Sequence, residues 1–380
     1  MDFNLTPEQA LIRQTAMDIT QKELAPRAAA LDAGKGYPRE GLKKLAEAGL
    51  LGMTVPPAFG GGGADTLSQV LVTEAVARGC ANTALVLLTH SAVALAVTAF
   101  GSAGQKEKLL PKLAKGELLG ALAATEPDAG SNAMATQTSV QMKDSAYRIN
   151  GTKSFITGSS ESDLYMTLTT TDSSKGSGGL TYLLVEKGAP GLTFGRRDEG
   201  LGLNGSSRGE IVFQDCSISQ DNLLGVEGGA LPIGMATTGT ALLGAAAISL
   251  GLAQAALDAS IKHCKERVVA GQPLGAYQGL QFMVSEMAAQ VDAARALLYH
   301  AVFLKDTVAG PPLPAFKAKL FVSETAVKVT DQALQIHGAH GYSRELPVER
   351  YHRDARGMTL HFSNSEMLKE MLGRMILGLM

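Results

Sequence analysis

Residues 121–133 read ALAATEPDAGSNA, and the periodicity of the chain changes across them. Upstream, from Thr6 to about Lys115, apolar residues recur at helical spacing. Thr6 followed by Pro7, Glu8 and Gln9 makes an N-cap with Pro at the first helical position, and Leu11, Ile12, Ala16 and Ile19 then share one face. Further helical runs over 39–51, 66–79, 82–99 and 104–115 are separated by PPAFGGGG (56–63), Gly79 and Gly101. Downstream, to about Asp221, the period falls to two in TQTSVQMKD (136–144), YRINGTKSFIT (147–157), DLYMTLTTT (163–171), GLTYLLVEK (179–187), LTFGRR (192–197) and GEIVFQDCSI (209–218), with Asn150-Gly151 and other glycine-rich turns between them. Short strands at this spacing predict a small antiparallel sandwich or barrel. From Leu231 to Met380 long helices return, with breaks at AGQPLGAY (270–277), at AGPPLP (309–314) and around Gly338 and Gly341. Ala-rich helices of this length pack as an antiparallel bundle, and such apolar faces also predict a subunit interface. The expectation is an α+β chain with an N-terminal helical domain over 1–117, a small antiparallel β domain over 118–230 and a four-helix-bundle domain over 231–380.

Composition narrows the function classes. With 380 residues, 45% hydrophobic and 18% charged, the chain can bury a large core but exceeds a usual single domain. A formal net charge of −2 gives no footing for nucleic acid or for a membrane surface. Cys80, Cys216 and Cys264 are odd in number and widely spaced, which speaks against a disulfide framework or a zinc knuckle and fits a reducing cytoplasm. The opening MDFNLTPEQALIRQ carries acidic residues and no apolar core, so no signal peptide is expected. The apolar run at 242–260 is rich in Ala and Gly and reads as a helix buried by protein rather than lipid, so no membrane insertion is expected. No His/Cys/Asp/Glu cluster has metal-ligand spacing, and the GGGG at 60–63 lacks the Lys-Ser/Thr of a phosphate loop.

Four stretches carry possible chemistry. In TEPDAGS, Gly130 and Ser131, with Thr125, offer backbone N–H groups and hydroxyls to a polar ring or phosphate, and the same residues read equally as a tight turn built on Pro127, Asp128 and Gly130. In SFITGSS (154–160), Phe155 and Thr157 could stack on and bond a flat heteroaromatic; taken alone it reads as a strand end. In CKERVVAGQPLG (264–275), Lys265 and Arg267 suit a phosphate or simply a helix C-terminus. The run DQALQIHGAHGYSRELPVERYHRDAR (331–356) places Gln335 beside two glycines, then a charged face in which Arg353 and Asp354 read as a structural ion pair between helices.

In this order and over about 1–378, these segments resemble the acyl-CoA dehydrogenase family. TEPDAGS looks like its TEPGAGSD, SFITGSS like its WITN segment, GLGLNGSS like its LGIRGSS, and GYSRELPVERYHRDAR like its GY-PVER-YRDAR signature. The resemblance implies a homotetramer, a dimer of dimers, with one FAD per subunit between the β domain and the C-terminal bundle. It implies a CoA thioester substrate and an electron-transfer flavoprotein as partner. Carried over residue by residue, Thr125 and Ser131 bond the flavin or the adjacent thioester, Phe155 shields the ring where the family usually has Trp, and Thr157 reaches the flavin edge. Arg267 contacts the pyrophosphate of the neighbouring subunit's FAD, Gln335 and Gly338 line its adenosine diphosphate half, and Asn364 and Glu366 open the last helix against FAD. The pattern departs at Ala270 in place of an aromatic, at Ala339 in place of the second Gly of a GG pair, and at Asn204 in place of Arg.

The largest departure concerns the base. Dehydrogenation of an acyl thioester needs a group to take the α-proton while the β-hydrogen leaves as hydride. The family's usual Glu aligns with Phe362 in HFSNSE (361–366), and the alternative position, on the first long C-terminal helix, aligns with Ala241, followed by Leu242 where that arrangement has Arg. Both are empty. A relocated base would be His361 or His90, each of which reads more readily as a packed, hydrogen-bonded imidazole. The competing expectations are a redox-neutral elimination or oxygen-using flavin reaction, and a non-catalytic FAD-binding subunit that pairs with a competent paralogue. No Arg near 82–92 is available to hold a sulfinate or carboxylate, which weakens the elimination reading.

Overall fold

The computed structural model of the protein describes residues 4–34, 36–307 and 312–379. Six α-helices come first: α1 (Pro7–Ile19), α2 (Ala28–Asp32), α3 (Arg39–Glu47), α4 (Thr66–Gly79), α5 (Ala81–Phe100) and α6 (Ala103–Ala114). Thr6 does cap α1, accepting from the Gln9 amide while the Gln9 side chain receives the Thr6 N–H, and Ser102 with Gln105 repeats the device at α6. Eight strands follow: β1 (Gly120–Ala123), β2 (Ser139–Lys143), β3 (Ala146–Ile156), β4 (Leu164–Thr170), β5 (Leu180–Glu186), β6 (Leu192–Arg197), β7 (Gly209–Ser219) and β8 (Leu223–Leu224). They form one sheet in the order β6-β7-β3-β2-β4-β5-β8, with β1 on β4.

Two pairings of the sheet depart from an antiparallel reading: β1 runs parallel to β4, with Ala121 opposite Tyr165, and β2 meets β4 in parallel at Ser139 and Thr170. The chain leaves α6 at the edge where β4 begins, and Asp163 holds it there. The Asp163 carboxylate accepts from the Leu119 N–H at 2.9 Å, and the Asp163 N–H returns to the Leu119 carbonyl at 2.8 Å.

The helices then resume as α7 (Ala230–Glu266), α8 (Gln278–Thr307), α9 (Leu313–Tyr342), α10 (Val348–Met358) and α11 (Ser365–Ile376). The expected break at 270–277 holds a short hairpin pairing Gln272 with Val269, whereas half of the one at 309–314 falls outside the described residues. Helices α5 and α7 are long and apolar enough to cross a membrane, but 94% of the most apolar window of α7 is buried by protein. Gly251 makes that burial tight, because a Cβ there would lie 2.5 Å from the Glu74 carbonyl oxygen on α4.

The contact that aims the β domain at the bundle is not the expected Arg353–Asp354 pair. Arg353 instead binds Asp32 at 2.6 Å and Glu349 at 2.6 Å, tying α10 to the end of α2. Asp354 turns inward, where its Oδ1 accepts from the Leu203 N–H at 2.7 Å and so locks the 200–207 loop to α10. The correction follows from geometry: adjacent residues on a helix diverge by about 100°.

Burial raises the Asp354 carboxyl to about 7, against the opposing Leu203 hydrogen bond. Its ordinary value in an unfolded chain is ~3.9, so the folded state holds a proton that the unfolded state releases. Stability should therefore fall as pH rises from that value to about 7 and stay flat above it. Asp354→Asn keeps the acceptor and removes the charge. The variant is expected to lose this slope and to gain on the order of 1–3 kcal/mol over wild type at alkaline pH, measured by urea unfolding across the pH range. A gain that is the same at acidic and alkaline pH would show that the carboxyl does not titrate in this window.

Candidate active site

The site begins with a buried ion pair. Lys153 on β3 is 0% exposed and Glu126, inside TEPDAGS, 5%; their Nζ and Oε1 stand 2.7 Å apart. Lys153 also donates to the Ala124 carbonyl, and Glu126 accepts from the backbone N–H groups of Gln137 and Thr138. Burial lowers the Lys153 ammonium to about 8, still charged at neutral pH. Burial also acts to raise Glu126, but its bonds from Lys153 and Thr138 outweigh that and hold it below the ordinary carboxylate range. Glu126 and Lys153 therefore brace the 125–131 turn against β3. The Ser154 N–H donates to the Thr125 carbonyl at 2.9 Å alongside.

At this point β3 bulges: the register with β7 shifts between Lys153 and Ile156, and Phe155 takes φ +56°. The bulge turns the phenyl ring outward, 56% exposed, while Thr157 beyond it is buried. The strand-end reading of SFIT is thus correct for its backbone, and the bulge is what frees the ring to act as a stacking platform.

The third wall is the turn 359–364 that leads into α11. Asn364 caps α11 through the Met367 N–H, and its Nδ2 donates to Ser131 Oγ at 3.0 Å. The Ser154–Thr125 bond thus sets Thr125 beside Phe155, with Thr157 two residues on, and Ser131 of the same turn is joined to Asn364. An outward aromatic face, a braced turn carrying a hydroxyl, and a helix N-terminus suit a flat heteroaromatic with polar edges, so the residues present fit the expected flavin. Glu366 lies in the first turn of α11 and is exposed.

Arg267, Gln335 and Gly338 do not join this group within the protomer. Arg267 is the C-cap of α7, roughly 39 Å along the helix from Ala241 at ~1.5 Å per residue. Stacking of His263 on His337, with ring centroids 4.3 Å apart, sets the end of α7 against α9 near Gln335 and the Gly338 kink at φ +60°.

Positions 241 and 362, where a base was expected, hold no acid. Ala241 is buried on α7, and Phe362 is half-buried against the main core with φ +60°, followed by Ser363 at +142°. Lys319 of α9, which the sequence reading missed, holds this turn: its wholly buried Nζ donates to the Ser363 carbonyl at 2.6 Å, and burial lowers it to about 8. His361 donates from Nδ1 to the Gly357 carbonyl at 2.9 Å, which leaves Nε2 with its lone pair; burial lowers its pKa to about 4, with Arg208 and Lys319 adding to the effect. His90 is elsewhere. Its Nδ1 accepts from the Gly120 N–H at 3.2 Å, it is fully buried between α5 and β1, and burial lowers it to about 4. An imidazole whose lone pair is already used has no acceptor to offer a substrate, so His90 is a packing residue. A cavity of about 400 Å³ lined by Arg13, Glu74, Arg78, Arg295 and Tyr299 lies among α1, α4, α7 and α8, and none of the expected site residues lines it.

Because the turn depends on the ion pair, Lys153→Met is expected to strand the Glu126 charge and cost about 3–5 kcal/mol, with loss of bound flavin. Lys153→Met with Glu126→Gln should recover much of that. Urea unfolding and the flavin-to-protein absorbance ratio measure both, and a single variant as stable and as flavin-rich as wild type would remove the pair from this role.

Three family models match the chain: acyl-CoA dehydrogenase N-terminal domain over 6–117, middle domain over 121–216 and C-terminal domain over 234–377. The acryloyl-CoA reductase (NADH) of Anaerotignum propionicum is 38% identical over 99% of this chain and 96% of its own length. The butyryl-CoA dehydrogenase structure from Megasphaera elsdenii superposes with a TM-score of 0.96 at 37% identity, covering 99% of this chain and 100% of that one. A structure solved for work on the electron transferring flavoprotein of Acidaminococcus fermentans superposes equally, with TM-score 0.96, 37% identity and the same coverage. Helix, sheet and bundle in that order, with matches across all three parts, establish that the chain belongs to the acyl-CoA dehydrogenase family of FAD-dependent oxidoreductases acting on CH–CH groups.

Proposed function

We propose that the protein carries out α,β-dehydrogenation of an acyl-CoA thioester with His361 as a relocated base. The observation that carries this reading is the His361 tautomer: Nδ1–H is committed to Gly357, so Nε2 is an unprotonated acceptor on the turn where the family's base is expected. FAD, when bound, supplies the two-electron acceptor for the β-hydrogen. This chain's residues do the rest. Thr125 and Ser131 present hydroxyls to the ring edge or thioester, Phe155 covers the ring, and the Lys319 charge behind the 359–363 turn favours negative charge developing at the thioester enolate. A base with a pKa of about 4 is weak at neutral pH, so the substrate's α-proton has to be more acidic than that of a simple saturated acyl group.

The reading extends to assembly and partners. Arg267, Gln335 and Gly338 are exposed at the far ends of α7 and α9, which is where a second copy would bring its FAD, and Phe282, Phe303 and Phe321 stand exposed on α8 and α9 as apolar faces for further copies. Both features support the expected homotetramer. The Acidaminococcus fermentans structure supports an electron-transfer flavoprotein as acceptor. Buried unpaired thiols at Cys80, Cys216 and Cys264 support a cytoplasmic location. The acid-free positions 241 and 362 favour a second reading, a redox-neutral or oxygen-using flavin reaction on a thioester.

Anaerobic titration of the FAD-loaded protein with a panel of acyl-CoAs, followed by flavin absorbance and mass spectrometry of the thioesters, separates these. Bleaching with loss of two hydrogens is expected. A converted thioester with the flavin still oxidised would favour the second reading, and silence across the panel would point to a non-catalytic subunit. His361→Gln should slow bleaching by about 10²-fold or more, and Phe362→Glu should speed it on straight-chain acyl-CoAs; an unchanged rate in His361→Gln would remove His361 as the base.

A further inference from the structure

The cavity of about 400 Å³ among α1, α4, α7 and α8 falls in the size range of small-molecule sites, and no residue of the candidate active site lines it. One wall is polar and already satisfied. The Glu74 carboxylate accepts from Arg295 at 2.9 Å and from the Tyr299 hydroxyl at 3.1 Å, and Arg295 donates again to Gln254 Oε1 at 2.8 Å. Gln254 carries the network on to Asp258 at 2.8 Å, and Asp258 holds Arg78. The other wall is apolar, made by Met17, Leu71 and Ala75. Arg13 of α1 stands at this space from the N-terminal domain. It makes no hydrogen bond or ion pair among the described residues, and its charge bears on the Tyr299 hydroxyl.

Three guanidinium groups and one carboxylate line the cavity, and that carboxylate is spent on Arg295 and Tyr299. Arg295 and Arg78 are matched in turn, the first by Glu74 and the second by Asp258. What is left over is the Arg13 charge, beside an apolar surface whose contact with water is unfavourable. An inorganic anion would use the charge and leave the apolar wall bare, and a neutral apolar molecule would do the reverse. We infer that the cavity is a binding site for a small organic carboxylate, whose anionic end pairs with Arg13 while its hydrocarbon body covers Met17, Leu71 and Ala75. Arg suits a carboxylate through its planar fork of donors. Because α1 and α4 belong to the N-terminal domain and α7 and α8 to the bundle, the occupant fastens one to the other, and its binding adds to the stability of the folded protein. Phe155, His361 and Asn364 do not line the cavity, so this ligand is separate from the thioester.

Calorimetric titration of the FAD-loaded protein with hexanoate, hexanamide and inorganic phosphate tests this. Hexanoate should bind about tenfold or more tightly than either of the others, and should raise the thermal midpoint as its concentration rises. Arg13 is exposed and unpaired, so Arg13→Gln should fold as wild type does and bind hexanoate no better than hexanamide, with Arg13→Lys recovering part of the preference. Met17→Trp, which fills the apolar side, should weaken hexanoate about tenfold or more; unchanged binding there would place the acid elsewhere and overturn the inference. Equal binding of hexanoate and hexanamide, or undiminished hexanoate binding in Arg13→Gln, would overturn it too. So would phosphate that binds as tightly as hexanoate, since the apolar wall would then contribute nothing. Saturation with an acyl-CoA should leave hexanoate binding in place, and displacement would put the acid in the thioester site and overturn the inference.

Discussion

The Lys153–Glu126 pair is the constraint on which the site depends. Two opposite charges held 2.7 Å apart out of water are expensive to separate, and each is fastened to backbone as well. Glu126 gathers the N–H groups of Gln137 and Thr138, so the 125–131 turn, the start of β2 and the end of β3 become one rigid unit. The residues that the β domain contributes to the candidate site, including Phe155 on its bulge, are built on that unit. Burial of a lone partner would be destabilising, which makes the pair a restraint on position more than a source of stability.

A second buried lysine performs a comparable task in the bundle. Lys319 reaches from α9 to the Ser363 carbonyl and holds the 359–363 turn in a conformation with two positive-φ residues, one of them the bulky Phe362. Strain of this kind persists where surrounding contacts over-determine it. The turn keeps its shape with Phe362 at the place where an acid was expected. Asn364 then closes the gap to Ser131, so the two rigid units meet through one hydrogen bond.

The electrostatics of the enclosed space follow from this architecture. Lys319 and Arg208 both bear on the neutral His361, beside a position where an acid was expected. Surroundings of that sign stabilise an enolate that forms there. The weak base and the positive surroundings are consistent with each other, because both place the burden of acidity on the substrate.

The amino-acid sequence by itself determined the three-part layout, since hydrophobic period is a local property: 3.6 through α6, 2 from β2 to β7, and 3.6 again from α7. It also determined the turn at 125–131, the cap at Thr6, and the absence of acids at 241 and 362, all legible in short stretches. What only the tertiary structure decided were partnerships between residues far apart in the chain. Arg353 and Asp354 are neighbours in sequence yet face Asp32 and Leu203, because helical geometry sends adjacent side chains apart. His90 and His361 look alike as lone histidines, and only the direction of their hydrogen bonds separates a used lone pair from a free one. Nothing in the sequence marks Arg208 as the residue whose Nε ends buried without a hydrogen-bond partner. Desolvation and hydrogen-bond direction depend on everything packed around a group, and that is information no local stretch contains.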